Sequence, residues 1–124
     1  MIVGIGTDLV HIPRIQTLLD KHGDKIAARI LSDSEFDAFQ HVKNQAGFLA
    51  KRFAAKEAVS KALGTGFSSG ITWKDIELTH LDTGQPIIIL HAKAQDVASS
   101  LGTQSVHISL SDEAGLVSAF AVLS

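Results

Sequence analysis

Apolar and polar positions change period along the chain, and the changes mark its elements. Ile2, Val3 and Ile5 form a short apolar run interrupted by Gly4 and Gly6. Glycines in such a run let another backbone come close, so the pattern predicts a buried strand that delivers Asp8 at its exit. Pro13 suits a first helical turn, and Ile12, Ile15, Leu18, Leu19 and His22 then recur at helical spacing until Gly23, leaving Arg14, Gln16, Thr17 and Lys21 outside. A second helix from Asp24 turns Ile26, Ala27 and Ile30 inward and Lys25 and Arg29 outward. Ser32 and Glu35 have the spacing of a capping box for a third, through Phe36, Phe39 and Val42.

The stretch from Asn44 to Gly66 predicts one long alanine-rich helix, with Asn44 able to cap its start and Gly64 its end. At 100° per residue, Ala50, Phe53, Ala54, Glu57 and Lys61 share a face, and Arg52, Lys56, Ser60 and Leu63 form the adjoining stripe. A helix so nearly apolar all round is expected to be largely buried, where charges need partners or an ion. The plainer alternative is that Glu57 and Lys61 form an ordinary surface pair one turn apart. After a glycine- and serine-rich loop from Thr65 to Thr72, order restarts at Trp73. Ile76, Leu78 and His80 alternate with polar residues, Asp82-Thr83-Gly84 turns the chain, and Pro86 to Leu90 completes an antiparallel hairpin. Ala92 to Leu101 predicts an amphipathic helix stopped by Gly102, and Ser105–Leu110 and Leu116–Leu123 a second hairpin joined through Ser111–Gly115. The expected fold class is α+β: a small antiparallel sheet packed against helices, including the long buried one, in a single domain over residues 1–124.

Composition narrows the function. The net charge of −2 gives no global basic field of the kind that marks a nucleic-acid binder, so an anionic partner has to meet a local patch. The absence of cysteine removes disulfide, thiolate and zinc-finger chemistry and permits a reducing compartment. No apolar run reaches membrane-spanning length, and the amino-terminal stretch lacks the basic and long apolar regions of an export signal; a cytoplasmic protein without membrane attachment is expected. Gly4-x-Gly6 lacks the third glycine of a dinucleotide fingerprint, the six histidines show no ligand spacing, and there is no serine-nucleophile elbow. Asp8, Glu57, Lys61 and the polar corner from Ser109 to Glu113 remain as candidates for chemistry. Two carboxylates from separate elements suit magnesium, which takes oxygen ligands and keeps waters for a phosphate partner.

Six segments in order, Gly4-Ile-Gly-Thr-Asp8-Leu, Pro13-Arg14-Ile, Arg29-Ile-Leu, Phe48-Leu-Ala-x-Arg52-Phe-Ala-Ala-Lys-Glu57-Ala-x-x-Lys61-Ala-Leu-Gly-Thr-Gly66, Gly84-x-Pro86 and His107-Ile-Ser-Leu-Ser111, run through nearly the whole chain. Together they resemble the holo-acyl-carrier-protein synthases, the short bacterial 4′-phosphopantetheinyl transferases. The resemblance implies magnesium-dependent transfer of phosphopantetheine from coenzyme A to a serine of apo acyl carrier protein, releasing adenosine 3′,5′-bisphosphate. It also implies a homotrimer with active sites in clefts between subunits. By the same resemblance Asp8 and Glu57 are the metal ligands, and Lys61 lies near enough to touch phosphate or help deprotonate the serine. Arg52, Lys56 and Ser60 are candidates for the coenzyme, with Gly64 at the helix end, Gly84 and Pro86 beside adenine, and Ser109 and Ser111 in the last corner. Arg14, Leu18 and Lys21 on the first helix are the expected carrier contacts, with Lys25 and Arg29 extending the positive region. One departure stands out: many relatives carry histidine where this chain has Asp112, and an ionised aspartate offers phosphate no favourable contact. A non-catalytic coenzyme A or nucleotide-binding regulator, and a protein-interaction module whose first helix binds an acidic partner, are the alternatives; the joint presence of Asp8, Glu57 and Lys61 argues against the regulator, and thermal stability indifferent to coenzyme A and magnesium would favour the module.

Overall fold

A computed structural model describes residues 1–124. Strand β1 (Gly4–His11) leads into helices α1 (Ile12–His22), α2 (Asp24–Ile30), α3 (Asp33–Phe39) and α4 (Gln45–Ala62). A 3-10 turn (Trp73–Asp75) precedes β2 (Ile76–His80) and β3 (Pro86–Leu90); α5 (Ala92–Ser100), β4 (Val106–Glu113) and β5 (Leu116–Leu123) complete the chain. All strand pairings are antiparallel, in a three-stranded sheet of order β1-β5-β4 and a separate β2-β3 hairpin. The expected α+β architecture is what forms, with its sheet split in two.

Helix α4 is the core about which the rest packs. Asn44 accepts from the Gly47 amide at 2.9 Å, capping its start, and Gly64 leaves its end at φ 81°. Leu49, Ala50, Ala54, Ala55, Ala58 and Val59 are fully buried, and the most extensive contacts of α4 are with β1 and β5. Small side chains bring these backbones together, and the β1 glycines complete the approach. A Cβ on Gly4 would overlap the Ala62 carbonyl, and one on Gly6 would overlap the Ala58 carbonyl. Any larger residue at either position forces β1 off the helix.

Three element boundaries differ from the sequence expectation. β1 continues to His11 because it pairs with β5 throughout, so Asp8 lies within the strand, opposite Ala119, and not at its exit. β4 runs through Glu113, so the supposed corner at Ser111–Glu113 is strand, and the turn consists of Ala114 (φ 51°) and Gly115 (φ 80°). Left-handed angles at both central residues suit the twist of a tight hairpin. α3 ends at Phe39, leaving Val42 outside it, and His22 faces solvent although its spacing matched the apolar stripe of α1. The capping box at Ser32 and Glu35 is present.

Candidate active site

Because Gly6 lets β1 lie on the second half of α4, the side chains two residues along the strand and one turn apart on the helix converge. Lys61 donates to Asp8 Oδ1 at 3.1 Å and to the Thr7 carbonyl at 3.0 Å. Its pairing is therefore across to the strand, not along the helix to Glu57. Asp8 and Glu57 line one cleft of about 260 Å³ with Arg14, Leu18 and Phe53. Burial pushes the Glu57 carboxyl above its ordinary value, and Asp8 adds to the rise while Lys61 opposes it. Two carboxylates that repel each other, with a single cation at one of them, form an oxygen donor set suited to a hard divalent ion. No group of three or more histidine, cysteine or acidic side chains gathers anywhere in the molecule. Two protein ligands suit magnesium, which usually retains several waters and shares its shell with phosphates, far better than a fully protein-lined cage.

Arg14 and Leu18 thus border the same cleft as the carboxylates, while Lys21 lies exposed further along α1. A second hollow, of about 180 Å³, brings Gly84 and Pro86 together with Ser111 and Asp112 and adds Lys51 and His80. Ser109, exposed on β4 two residues before Ser111, does not line this hollow, and Gly64 sits exposed beyond the end of α4. Lys51 lies 3.6 Å from Asp112, which explains how the unexpected aspartate is accommodated: it partners a lysine on α4. His80 is held below its ordinary value, first by burial and then by the nearby positive charges of Arg52 and Lys51. Within this hollow Asp112 offsets Lys51, and the lowered His80 pKa favours a neutral imidazole. His80 was legible in principle, since the hairpin register places it opposite Pro86, but Lys51 carried no signal beyond its position beside Arg52.

Two expected coenzyme contacts are overturned. Lys56 is fully buried, and its ammonium donates to Glu35 Oε1 at 2.7 Å, to the Trp73 carbonyl at 3.0 Å and to the Ile76 carbonyl, leaving no proton for a coenzyme phosphate. Burial pushes its pKa down, opposed by Glu35. Ser60 is also fully buried and donates back to the Glu57 carbonyl at 2.7 Å, so it cannot reach a ligand. The periodicity put both on the stripe beside Glu57, but that stripe faces the β2 side of the core. Arg52 differs: its guanidinium lies 3.6 Å from the centroid of the Phe48 ring, and its buried Nε has no partner. Burial pushes the Arg52 guanidinium pKa down, opposed by Glu35, and leaves this one buried donor without a partner.

Comparison with known proteins gives a consistent result. Residues 4–119 match the model of the 4′-phosphopantetheinyl transferase superfamily. The holo-[acyl-carrier-protein] synthase of Vibrio atlanticus is 49% identical over 90% of this chain and 89% of its own. The crystal structure of holo-[acyl-carrier-protein] synthase from Neisseria meningitidis superposes with a TM-score of 0.93 at 39% identity, covering 100% of this chain and 99% of that one. The Helicobacter pylori holo-[acyl-carrier-protein] synthase in complex with coenzyme A superposes with a TM-score of 0.83 at 32% identity, covering 97% and 99%.

Proposed function

We infer the function from kinship: the chain belongs to the 4′-phosphopantetheinyl transferase superfamily and, within it, to the holo-acyl-carrier-protein synthases. It is a transferase that moves 4′-phosphopantetheine from coenzyme A to a serine of apo acyl carrier protein, with adenosine 3′,5′-bisphosphate as the leaving group. The serine oxygen forms a bond to the phosphorus that bears the pantetheine arm, and the bond from that phosphorus to the adenosine bisphosphate breaks. The observation that carries the assignment of the reacting centre is the convergence of Asp8, Glu57 and Lys61 from β1 and α4 beside one cleft.

Asp8 and Glu57 are the proposed ligands of magnesium, whose contribution when bound is to neutralise charge on the reacting diphosphate. Lys61 presents a half-exposed ammonium, within hydrogen-bond reach of Asp8, to the phosphate oxygens; such fixed charge lowers the barrier most where negative charge grows during transfer. Arg52, with its unpartnered Nε, and the hollow holding Lys51, His80, Gly84 and Pro86 are the proposed coenzyme-binding elements. Arg14, Leu18 and Lys21 are the proposed carrier contacts, because α1 runs from the rim of the reacting cleft into solvent.

A homotrimer is proposed as the working assembly. The outer face of the three-stranded sheet supports it: Ile5, Leu9 and Phe120 are 61%, 64% and 47% exposed, and the register sets Val122 beside Ile5. An apolar sheet face of this extent calls for a cover. The cytoplasm is the proposed compartment, in keeping with a chain that has no cysteine and no helix long and apolar enough to cross a membrane. Mass spectrometry of apo acyl carrier protein incubated with this chain, coenzyme A and magnesium tests the reading; the expected gain is one phosphopantetheine, and an unchanged carrier mass would overturn it.

A further inference from the structure

We propose that Trp73 is a positioning residue for this transfer, fixing the Phe53 wall of the reacting cleft from behind. Its indole lies between two rings, with centroids 5.0 Å from Phe53 at an interplanar angle of 23° and 3.8 Å from Phe67 at 28°. Phe53 belongs to α4, one turn before Glu57, and lines the cleft that holds Asp8 and Glu57. Phe67 belongs to the loop that follows α4. The indole therefore joins the cleft wall to the loop through two stacked aromatic contacts.

Its backbone is held independently. The Trp73 carbonyl accepts from Lys56 Nζ at 3.0 Å, and Lys56 is itself fixed by Glu35 at 2.7 Å. Glu35 also accepts from the Ser32 amide at 2.8 Å and the Leu78 amide at 3.0 Å, so the node ties α3, α4 and β2 to the residue that carries the indole. A buried ion pair with every donor used is held in one geometry. Lys56, removed from the coenzyme contacts by its burial, thus acts on the cleft through Trp73 and Phe53. The most extensive packing of α4 is against β1 and β5; what the relay adds is a defined position for the Phe53 ring.

The inference rests on the transferase reading, and wild-type turnover in the same assay tests that reading separately. An inactive wild type would overturn the reaction, whereas a fully active Trp73→Leu enzyme would overturn only the positioning role. Trp73→Leu is expected to lower kcat about ten- to a hundredfold, as ångström-scale misplacement at a reacting centre does, with the KM for coenzyme A within about twofold. Trp73→Phe, which restores an aromatic ring between Phe53 and Phe67, is expected to recover most of the rate. Trp73 is the single tryptophan and the chain has no tyrosine, so the wild-type emission reports this stack alone and is expected to change when coenzyme A and magnesium saturate the enzyme. Should Trp73→Leu fail to fold, Phe67→Leu, which removes one of the two stacks, is held to the same kcat and KM criteria. A kcat loss no larger than the fraction unfolded at the assay temperature, or a Trp73→Phe enzyme as slow as Trp73→Leu, would overturn the proposal.

Discussion

At the scale of single residues, the proposed reacting centre draws its charges from two elements far apart in sequence. Asp8→Ala and Glu57→Ala are each expected to abolish most transfer while leaving the thermal midpoint near wild type, since neither side chain fills the core; near-normal turnover in either would refute the ligand assignment. Lys61→Ala should lower kcat more than it raises the KM for coenzyme A, and steady-state kinetics that moved only KM would make Lys61 a binding group. His80 adds a pH dependence. Its folded pKa lies below the ordinary 6.5, so the unfolded chain binds the proton more readily; its effect on stability is absent well above pH 6.5 and turns destabilising as pH falls through that value. The wild-type melting temperature should consequently drop more steeply below pH 6.5 than that of His80→Gln. Residue types identified the candidates, but not their surroundings: Lys56 and Glu57 are neighbours in sequence, and only the packing of β2 on one side and β1 on the other makes the first a buried tie and the second a cleft wall.

At the scale of elements, the two glycines of β1 do what their presence in an apolar run suggested, and their removal is the sharpest test of the strand-on-helix contact. Gly6→Ala should cost about 1–3 kcal/mol in denaturant unfolding, the usual penalty of overpacking, and should lower activity as well because Asp8 rides on the same strand. Wild-type stability in that variant would mean that β1 and α4 yield without strain. The helices, their caps and both hairpins were legible from periodicity and turn residues. Strand lengths were not: β1 and β4 extend past their apolar runs because pairing with β5, not side-chain polarity, sets where a strand stops. On α1, the exposed Arg14 and Lys21 are expected to steer an acidic carrier. Arg14→Glu with Lys21→Glu should raise the KM for the carrier protein far more than that for coenzyme A, and should flatten the fall of activity with ionic strength; unchanged values would place the docking face elsewhere.

At the scale of the whole molecule, apolar residues on both faces of β5 were visible in the sequence, and the structure separates them into a core row of Val117, Ala119, Ala121 and Leu123 and an outer row that includes Phe120. Phe120→Glu should convert the proposed trimer to monomers in light scattering and remove activity if the sites lie between subunits; a trimer that survives would move the interface off this sheet. The order of the sheet has a further consequence for biogenesis. Its central strand is the last to be made, and it pairs directly with the first, Gly4 opposite Leu123. Neither edge strand has its sheet partner until β5 leaves the ribosome, and the part of α4 that β5 covers stays open until then. The three-stranded sheet must therefore close after translation has passed residue 123, through a pairing of the chain's two ends, so the nascent chain should remain protease-sensitive at β1 and β4 until then.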